Sequence, residues 1–260
     1  MGSYSLRWIA SGRRRVTYRL RGLWSLPFRL GAARFPGSYL TYQPDSHAGF
    51  HQHPEFADLF ERFIRHNRLN NAGDSTRLWA FILNIKQVLA DKVPGDLAEL
   101  GVWRGNTAAI LGHFAAKSGR RAYLFDTYEG FDRRDLRGID AGKSLEFNDT
   151  SLDLVREVIG AAQTSCEFVK GYFPASVTAA HRHCRFAIAS LDCDLYEPMK
   201  AGLDFFYPRM PRGALLLVHD YSNPSWSGAK QAVDEFCQEY GEHPVLMPDK
   251  SGSALIRKTR

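Results

Sequence analysis

Downstream of residue 96 the chain alternates between two hydropathy patterns. Near-continuous apolar runs fall at 97–102, 122–126, 166–170, 186–192 and 214–219. Between them, apolar residues recur at helical spacing over about 105–118, 151–162, 174–183, 197–207 and 227–240. Strands that are apolar on both faces and separated by helices specify a parallel sheet covered on each side. The tail breaks this rhythm: Val245-Leu246-Met247 and Ala254-Leu255-Ile256 flank Asp249-Lys250-Ser251-Gly252. Two short apolar runs around a glycine turn predict an antiparallel hairpin. The expected fold is α/β, a mostly parallel seven-stranded sheet closed by that hairpin, with helices on both faces.

Two more helices precede the sheet. Residues 54–70 place Phe56, Leu59, Phe60, Phe63 and Ile64 on one helical face. Asn70-Asn71-Ala72-Gly73-Asp74 reads as a turn, and Asp74 or Ser75 can cap a helix carrying Leu78, Phe81, Ile82, Ile85 and Leu89. Residues 1–44 have a different character. They hold eight arginines and no Lys, Asp or Glu, interleaved with large apolar residues such as Trp8, Leu20, Trp24 and Phe28. The formal charge of +6 therefore belongs to this arm, and the remainder carries −2. That distribution argues against a basic nucleic-acid groove across the body. The arm suits packing on the body or on a second copy of the chain, an anionic membrane surface, or a transit peptide. Three segments result: an Arg-rich extension (1–44), N-terminal helices and lid (45–96) and the core (97–260). No apolar run reaches the roughly 18–20 residues needed to span a bilayer. Cys166, Cys184, Cys193 and Cys237 form no CxxC pair. They read as reduced thiols of a cytoplasmic protein, peripheral at a membrane if the arm binds lipid.

Three motifs carry the chemistry. In Leu97-Ala98-Glu99-Leu100-Gly101-Val102-Trp103-Arg104-Gly105-Asn106-Thr107 an apolar run ends near an acid, and a spaced glycine pair opens a helix. About two dozen residues on, Ala122-Tyr123-Leu124-Phe125 ends in Asp126, placed for a ribose diol; together they make the first half of a nucleotide-binding sheet. Gly101 permits a turn that a Cβ would obstruct. A dinucleotide diphosphate wants no carboxylate beside its helix N-terminus. Glu99 therefore favours a ligand with an ammonium group, such as S-adenosylmethionine (SAM), over NAD. In the second motif, Asp126-Thr127-Tyr128-Glu129-Gly130-Phe131, Tyr128 falls near the adenine or the mouth of the site. The third, Leu191-Asp192-Cys193-Asp194-Leu195-Tyr196-Glu197, projects Asp192 and Asp194 to one side if the strand continues. The adjacent strand ends in Val218-His219-Asp220-Tyr221, which brings Asp192 to His219 and Asp220. An oxygen-rich set with one imidazole suits Mg²⁺ or Mn²⁺; alternatively, Asp194 caps the next helix and Asp220 is a solvated turn residue. Residues 128–150 and 221–228 frame the acceptor side, where Tyr221 and Trp226 can stack on an apolar sugar face. The mixed charges of 132–146 suit a solvated lid.

Taken in order, Val93-Pro94-Gly95-Asp96 with the first motif, Asp126-Thr127-Tyr128-Glu129-Gly130, Gly171-Tyr172-Phe173, the third motif and Gln231-Ala232-Val233-Asp234-Glu235-Phe236 resemble the macrocin O-methyltransferase (TylF/MycF-type) family. The resemblance covers about residues 75–258. It implies a Rossmann-like class I SAM methyltransferase fold and a divalent-metal-assisted O-methyltransferase acting on a hydroxyl of a sugar, a glycosylated natural product or a glycan. Carried onto this chain, it implies SAM binding by Glu99, Gly101, Asp126 and Thr127, with Gly171 and Tyr172 on the adenine side. It implies metal binding by Asp192, His219 and Asp220. The chemistry of the step then asks for a nearby carboxylate to take the hydroxyl proton, and Asp192 is the candidate. Two positions depart from the family: the fifth strand usually ends in Asp-Asp, where this chain has His219, and residues 127–150 lack the histidine many relatives carry. The rival readings are a non-catalytic SAM- or nucleotide-binding protein and a hydroxylase-like enzyme on the same scaffold.

Overall fold

The computed structural model describes residues 48–67 and 75–259, so the arm over 1–44 and the turn expected over 70–74 lie outside the described residues. Seven strands form one sheet: β1 (Asp96–Leu100), β2 (Ala122–Asp126), β3 (Cys166–Lys170), β4 (Phe186–Leu191), β5 (Leu215–Val218), β6 (Val245–Leu246) and β7 (Ala254–Arg257). Their spatial order is β3-β2-β1-β4-β5-β7-β6. The first five are parallel, and β7 runs antiparallel between β5 and β6. The helices are α1 (Ala48–Gln52), α2 (Ala57–Asn67), α3 (Ser75–Ala90), α4 (Asn106–Ser118), α5 (Leu152–Ile159), α6 (Ala179–His183), α7 (Tyr196–Phe206) and α8 (Ser227–Tyr240). The expected class and strand order of events therefore hold, including the closing hairpin.

Local chemistry explains where the boundaries move. The helix expected over 174–183 shrinks to α6, because Thr178 and His181 form a reciprocal cap that starts it late. The helix expected over 54–70 divides into a 3₁₀ turn, Pro54–Phe56, and α2; its Ile64 is exposed rather than buried. Ser151 caps α5, which stops at Gly160 with φ +66°. The core forms on both faces of the sheet. Phe81, Ile82 and Ile85 of α3 are fully buried. On α7, Phe206 packs edge-on against Phe125 and Phe186, with ring centroids 5.8 and 5.0 Å apart. Full burial of such a side chain contributes roughly 1.5–3 kcal/mol. No helix among the described residues is long and apolar enough to cross a membrane.

Candidate functional site

The key residue of each motif is the first residue at or beyond its strand end. The sheet ladder extends one step past the strands. Gly101 N–H donates to the Phe125 carbonyl at 3.0 Å and Asp192 N–H to Leu100 at 2.9 Å; His219 N–H donates to Leu191 at 2.9 Å. These bonds align Gly101, Asp126, Asp192 and His219 along the carboxyl edge, with the order reversing between β1 and β4, where open α/β sheets bind ligands. Gly101 sits at that reversal with φ +85°, and a Cβ there would lie 2.0 Å from the Asp192 carbonyl oxygen. Its demand for glycine thus comes from the neighbouring strand.

Two cavities open at this edge, each about 740–790 Å³ including space open to solvent. Asp126, Thr127, Gly171 and Tyr172 line the first; Glu99, Arg77, Thr107, His219 and Asp220 line the second. Trp103, Phe147, Asp192 and Asp194 line both, so the two form chambers of one cleft. In the first chamber Asp126 Oδ2 accepts the N–H groups of Val102 and Trp103 at 2.6 and 2.9 Å, and Oδ1 accepts that of Tyr128. Burial raises the Asp126 pKa despite those backbone bonds. Thr127 Oγ1 donates to Gly130 O at 2.7 Å. Tyr128 does not reach the mouth: its ring is buried and its hydroxyl donates to Leu124 O at 3.1 Å. Tyr172 donates to Asp135 at 2.7 Å, beneath the Arg134 guanidinium 3.6 Å from its ring centroid.

In the second chamber Glu99 is 1 % exposed, and its Oε2 has no hydrogen-bond partner among the described residues. Burial and the charge of Asp192 push its pKa well above the usual carboxylate range. Arg77, 2 % exposed, lines the same chamber and its Nη1 donates to Thr107 Oγ1 at 3.4 Å. A buried acid and a buried guanidinium in one chamber match the two charges of an amino-acid zwitterion. Arg77 stands outside the motifs that the sequence marks, yet its place is legible there: it lies one turn before Phe81 on the buried stripe of α3.

Asp192, Asp194, His219 and Asp220 offer ligand atoms that all lie within 4.8 Å of one another. His219 Nδ1 lies 2.7 Å from Asp192 Oδ1 and also pairs with Asp220 Oδ2. Burial is the strongest influence on His219 and opposes its charge, but Asp192 and Asp220 together overcome it and raise the imidazole pKa well above its usual value. Burial would raise Asp220 as well, yet His219 brings it down. Asp194 moves well upward through burial and the charges of Asp192 and Asp220. Strand alternation does not align Asp192 with Asp194, because β4 ends at Leu191. A turn with Asp194 at φ +59° brings them together. Nor does Asp194 cap α7. Asp140, fully buried, accepts the Tyr196 N–H at 2.7 Å instead, a role no local pattern announced. The charged loop is tied down by Arg137 to Glu197 at 3.0 Å and by Lys143 to the Ser225 carbonyl. Trp226 lines the cleft, whereas Tyr221 turns to Asp234 at 2.6 Å.

A sheet in this order, with a glycine turn and acids along its carboxyl edge, defines a class I SAM methyltransferase. Solved structures agree on the fold. The O-methyltransferase NovP superposes at TM-score 0.59 with 23% identity, over 71% of this chain and 80% of that one. The calicheamicin methyltransferase CalS11 superposes at 0.55 with 24% identity, over 85% and 99%. The pattern of the Macrocin-O-methyltransferase (TylF) family matches residues 72–255, and the chain belongs to that family and to its SAM-dependent O-methyltransferases. Similar curated proteins are a tetracenomycin-C rhamnosyl 4'-O-methyltransferase of Streptomyces olivaceus (30% identical; 65% of this chain, 68% of the relative) and mycinamicin III 3''-O-methyltransferase of Micromonospora griseorubida (27%; 65% and 70%). Methyl transfer is thereby favoured over the non-catalytic and hydroxylase readings.

Proposed function

We propose that this enzyme methylates a hydroxyl of a sugar in a glycosylated natural product or glycan, with a divalent cation held by Asp192, His219 and Asp220, and Asp194 beside them. One observation carries the reading: Asp192 forms the wall common to both chambers. The Glu99–Arg77 chamber suits the methionine end of SAM, and the Asp126–Tyr172 chamber suits the nucleoside. The transferable methyl then falls near Asp192. The Streptomyces olivaceus relative, whose name carries a rhamnosyl group, supports the acceptor class. The donor set fits the cation, since three carboxylates crowd one imidazole in a largely buried cluster. A cation bound there would supply charge to stabilise the oxygen as it loses its proton.

The chain's own residues do the remaining work. Glu99 and Arg77 fix the ammonium and carboxylate of SAM. Gly171 and Tyr172 place its adenine, and Asp126 with Thr127 meets the ribose. Asp192 takes the acceptor's hydroxyl proton as the oxygen–methyl bond forms and the methyl–sulfur bond breaks, giving a methyl ether and S-adenosylhomocysteine. SAM brings an activated methyl, so orientation and charge placement supply most of the acceleration. The test is an acceptor screen with methyl-labelled SAM, read as a 14 Da gain, with and without chelator. We expect chelation to lower turnover at least about tenfold and added Mg²⁺ or Mn²⁺ to restore it; full turnover in excess chelator would remove the cation from the reading. For residues 1–44 we propose binding to an anionic membrane surface through the eight arginines. Its test is co-sedimentation with phosphatidylserine vesicles, with and without the arm.

A further inference from the structure

The amino edge of the sheet, opposite the cleft, has a charge of its own. Arg120 precedes β2, Arg185 precedes β4 and Arg212 precedes β5. Arg182 lies in the last turn of α6, and Arg209 closes the 3₁₀ turn that follows α7. Backbone carbonyls tie them into one row. Arg209 Nε donates to the Arg182 carbonyl at 3.2 Å, and Arg120 Nη1 donates to the Gly95 carbonyl at 2.7 Å. The next N–H, that of Asp96, donates to the Arg185 carbonyl at 2.8 Å. The register of β4 on β5, Ile188 opposite Leu215, brings Arg185 and Arg212 to the same end of the sheet. Among the described residues none of the five pairs with a carboxylate, and Arg182, Arg185 and Arg212 are exposed. The acids of this edge are already engaged: Asp91 holds Arg257, Asp96 accepts the Arg121 N–H at 2.9 Å, Glu167 meets His181 at 2.7 Å and Asp204 pairs with Lys200. At the carboxyl edge the bases are the ones engaged, Arg134 by Asp132, Arg137 by Glu197 and Lys170 by Glu129, and unmatched acids remain. The charge of −2 outside the arm is therefore a sum of two opposed edges.

We propose that the amino edge docks on an anionic membrane surface, with the guanidinium row against the lipid headgroups and the cleft turned toward the water. The row crosses the ends of β2, β1, β4 and β5, three strand spacings or about 14 Å. A single small anion cannot bridge that width, whereas a layer of headgroups meets the whole row at once. Guanidinium groups suit the task, because they are weakly hydrated and match phosphate and carboxylate oxygens in pairs. Nucleic acid carries the same charge. However, no Phe, Tyr or Trp among the described residues is exposed to stack on a base. The chain's other basic segment, residues 1–44, interleaves arginine with large apolar residues in the manner of an interfacial segment. The same surface repels the acids of the carboxyl edge, so the field that draws the enzyme in also orients it. Acceptors then reach the cleft from the aqueous side. The inference concerns the folded body and is independent of what residues 1–44 bind.

The test uses the full chain with vesicles of equal parts phosphatidylcholine and phosphatidylserine. Each basic group close to such a surface strengthens partition about fivefold. Arg182→Ala, Arg185→Ala and Arg212→Ala combined should therefore weaken co-sedimentation at least about 30-fold. Arg65→Ala, Arg133→Ala and Lys250→Ala combined remove the same charge from exposed positions off this edge and should change it less than about threefold. S-adenosylhomocysteine affinity should be the same in the edge variant and the parent, which shows that the variant is folded. Hydrogen exchange of the unaltered chain reads the orientation without any variant. Lipid should slow exchange over 119–121, 182–185 and 209–213 and leave 128–150 unchanged. Equal losses in the two triple variants, full binding by the edge variant, or protection of 128–150 in place of the amino edge overturns the proposal. So does a loss confined to removal of residues 1–44, which leaves the arm as the lipid site. Edge-dependent binding to duplex DNA that is tighter than binding to the vesicles also overturns it. An edge variant that changes only the oligomeric mass of the chain does the same, since the row then belongs to a second copy.

Discussion

Asp126 and Asp192 stand at the same edge of the sheet, each after an apolar strand, but their surroundings differ. Asp126 is met by three backbone N–H groups that belong to its own turn and to the glycine turn beside it. Asp192 meets a histidine, two further aspartates and, across the chamber, the buried Glu99. One acid is held by the scaffold and keeps acceptor capacity for a ribose hydroxyl. The others crowd around one imidazole as acids that resist ionising together, and their natural complements, an ammonium group and a divalent cation, come from outside the chain. Buried polar groups left incomplete are costly, and they persist where binding completes them. The contrast separates acids that build the site from acids that use it.

The largest effect is expected at the shared wall. Asp192→Asn keeps the shape of the side chain and removes its ability to hold a proton or share charge with a cation. Turnover should fall by about 10²–10³-fold, while S-adenosylhomocysteine affinity changes by less than about threefold. Steady-state kinetics with labelled SAM and calorimetry separate the two; a parallel loss of both would place Asp192 in the cofactor pocket alone. Glu99→Gln should act the other way. SAM affinity should drop about 10–100-fold, or roughly 1.4–2.8 kcal/mol, through loss of a charged partner for the ammonium. The unliganded fold should lose nothing. Because the folded pKa of Glu99 is raised above 4.5, its contribution to stability is fully present below that pH and is lost as pH rises through the folded value. Glutamine does not titrate, so the melting temperature of the variant relative to the parent should climb between pH 5 and pH 8. A difference that stays flat would mean that Glu99 is not burdened by its burial.

The sheet was legible because parallel strands buried on both faces leave long apolar runs, and the hairpin because a glycine turn interrupts two short ones. The acids at the strand tips were legible by the same logic, since an acid ending an apolar run has few structural uses. Features set by contacts between distant segments were not. Asp140 accepts the first N–H of α7 from 56 positions away, and nothing near either residue marks that pairing. Tyr128 sits two residues beyond Asp126 yet turns back to Leu124, a choice fixed by its φ of +55° and not by hydropathy. Asp194 joins the acid cluster through another left-handed residue, where strand alternation gives a plausible but different route. Arg77 lies between these cases. Its place on a buried helical stripe is visible in the sequence, but its company with Glu99 emerges only when α3 and β1 are seen to face one chamber.

The scaffold side of the comparison can be broken at Asp126. In Asp126→Asn one carboxylate oxygen becomes an NH₂ group. Whichever way the amide is turned, a donor then faces backbone N–H groups, either the Val102–Trp103 pair or Tyr128. A buried donor left without an acceptor costs about 1–3 kcal/mol. For a chain of this size that corresponds to roughly 2–4 °C per kcal/mol, so the unliganded variant should melt several degrees lower. The same change at Asp192 should leave the melting temperature nearly unmoved or raise it, because it dilutes a crowd of like charges. SAM affinity in Asp126→Asn should fall as well, through the displaced glycine turn and the weakened contact with the ribose. Added S-adenosylhomocysteine should then recover less thermal stability in the variant than in the parent. If Asp126→Asn melts with the parent and only its SAM affinity changes, the backbone bonds are not what hold the turn, and Asp126 belongs with the acids that await a ligand.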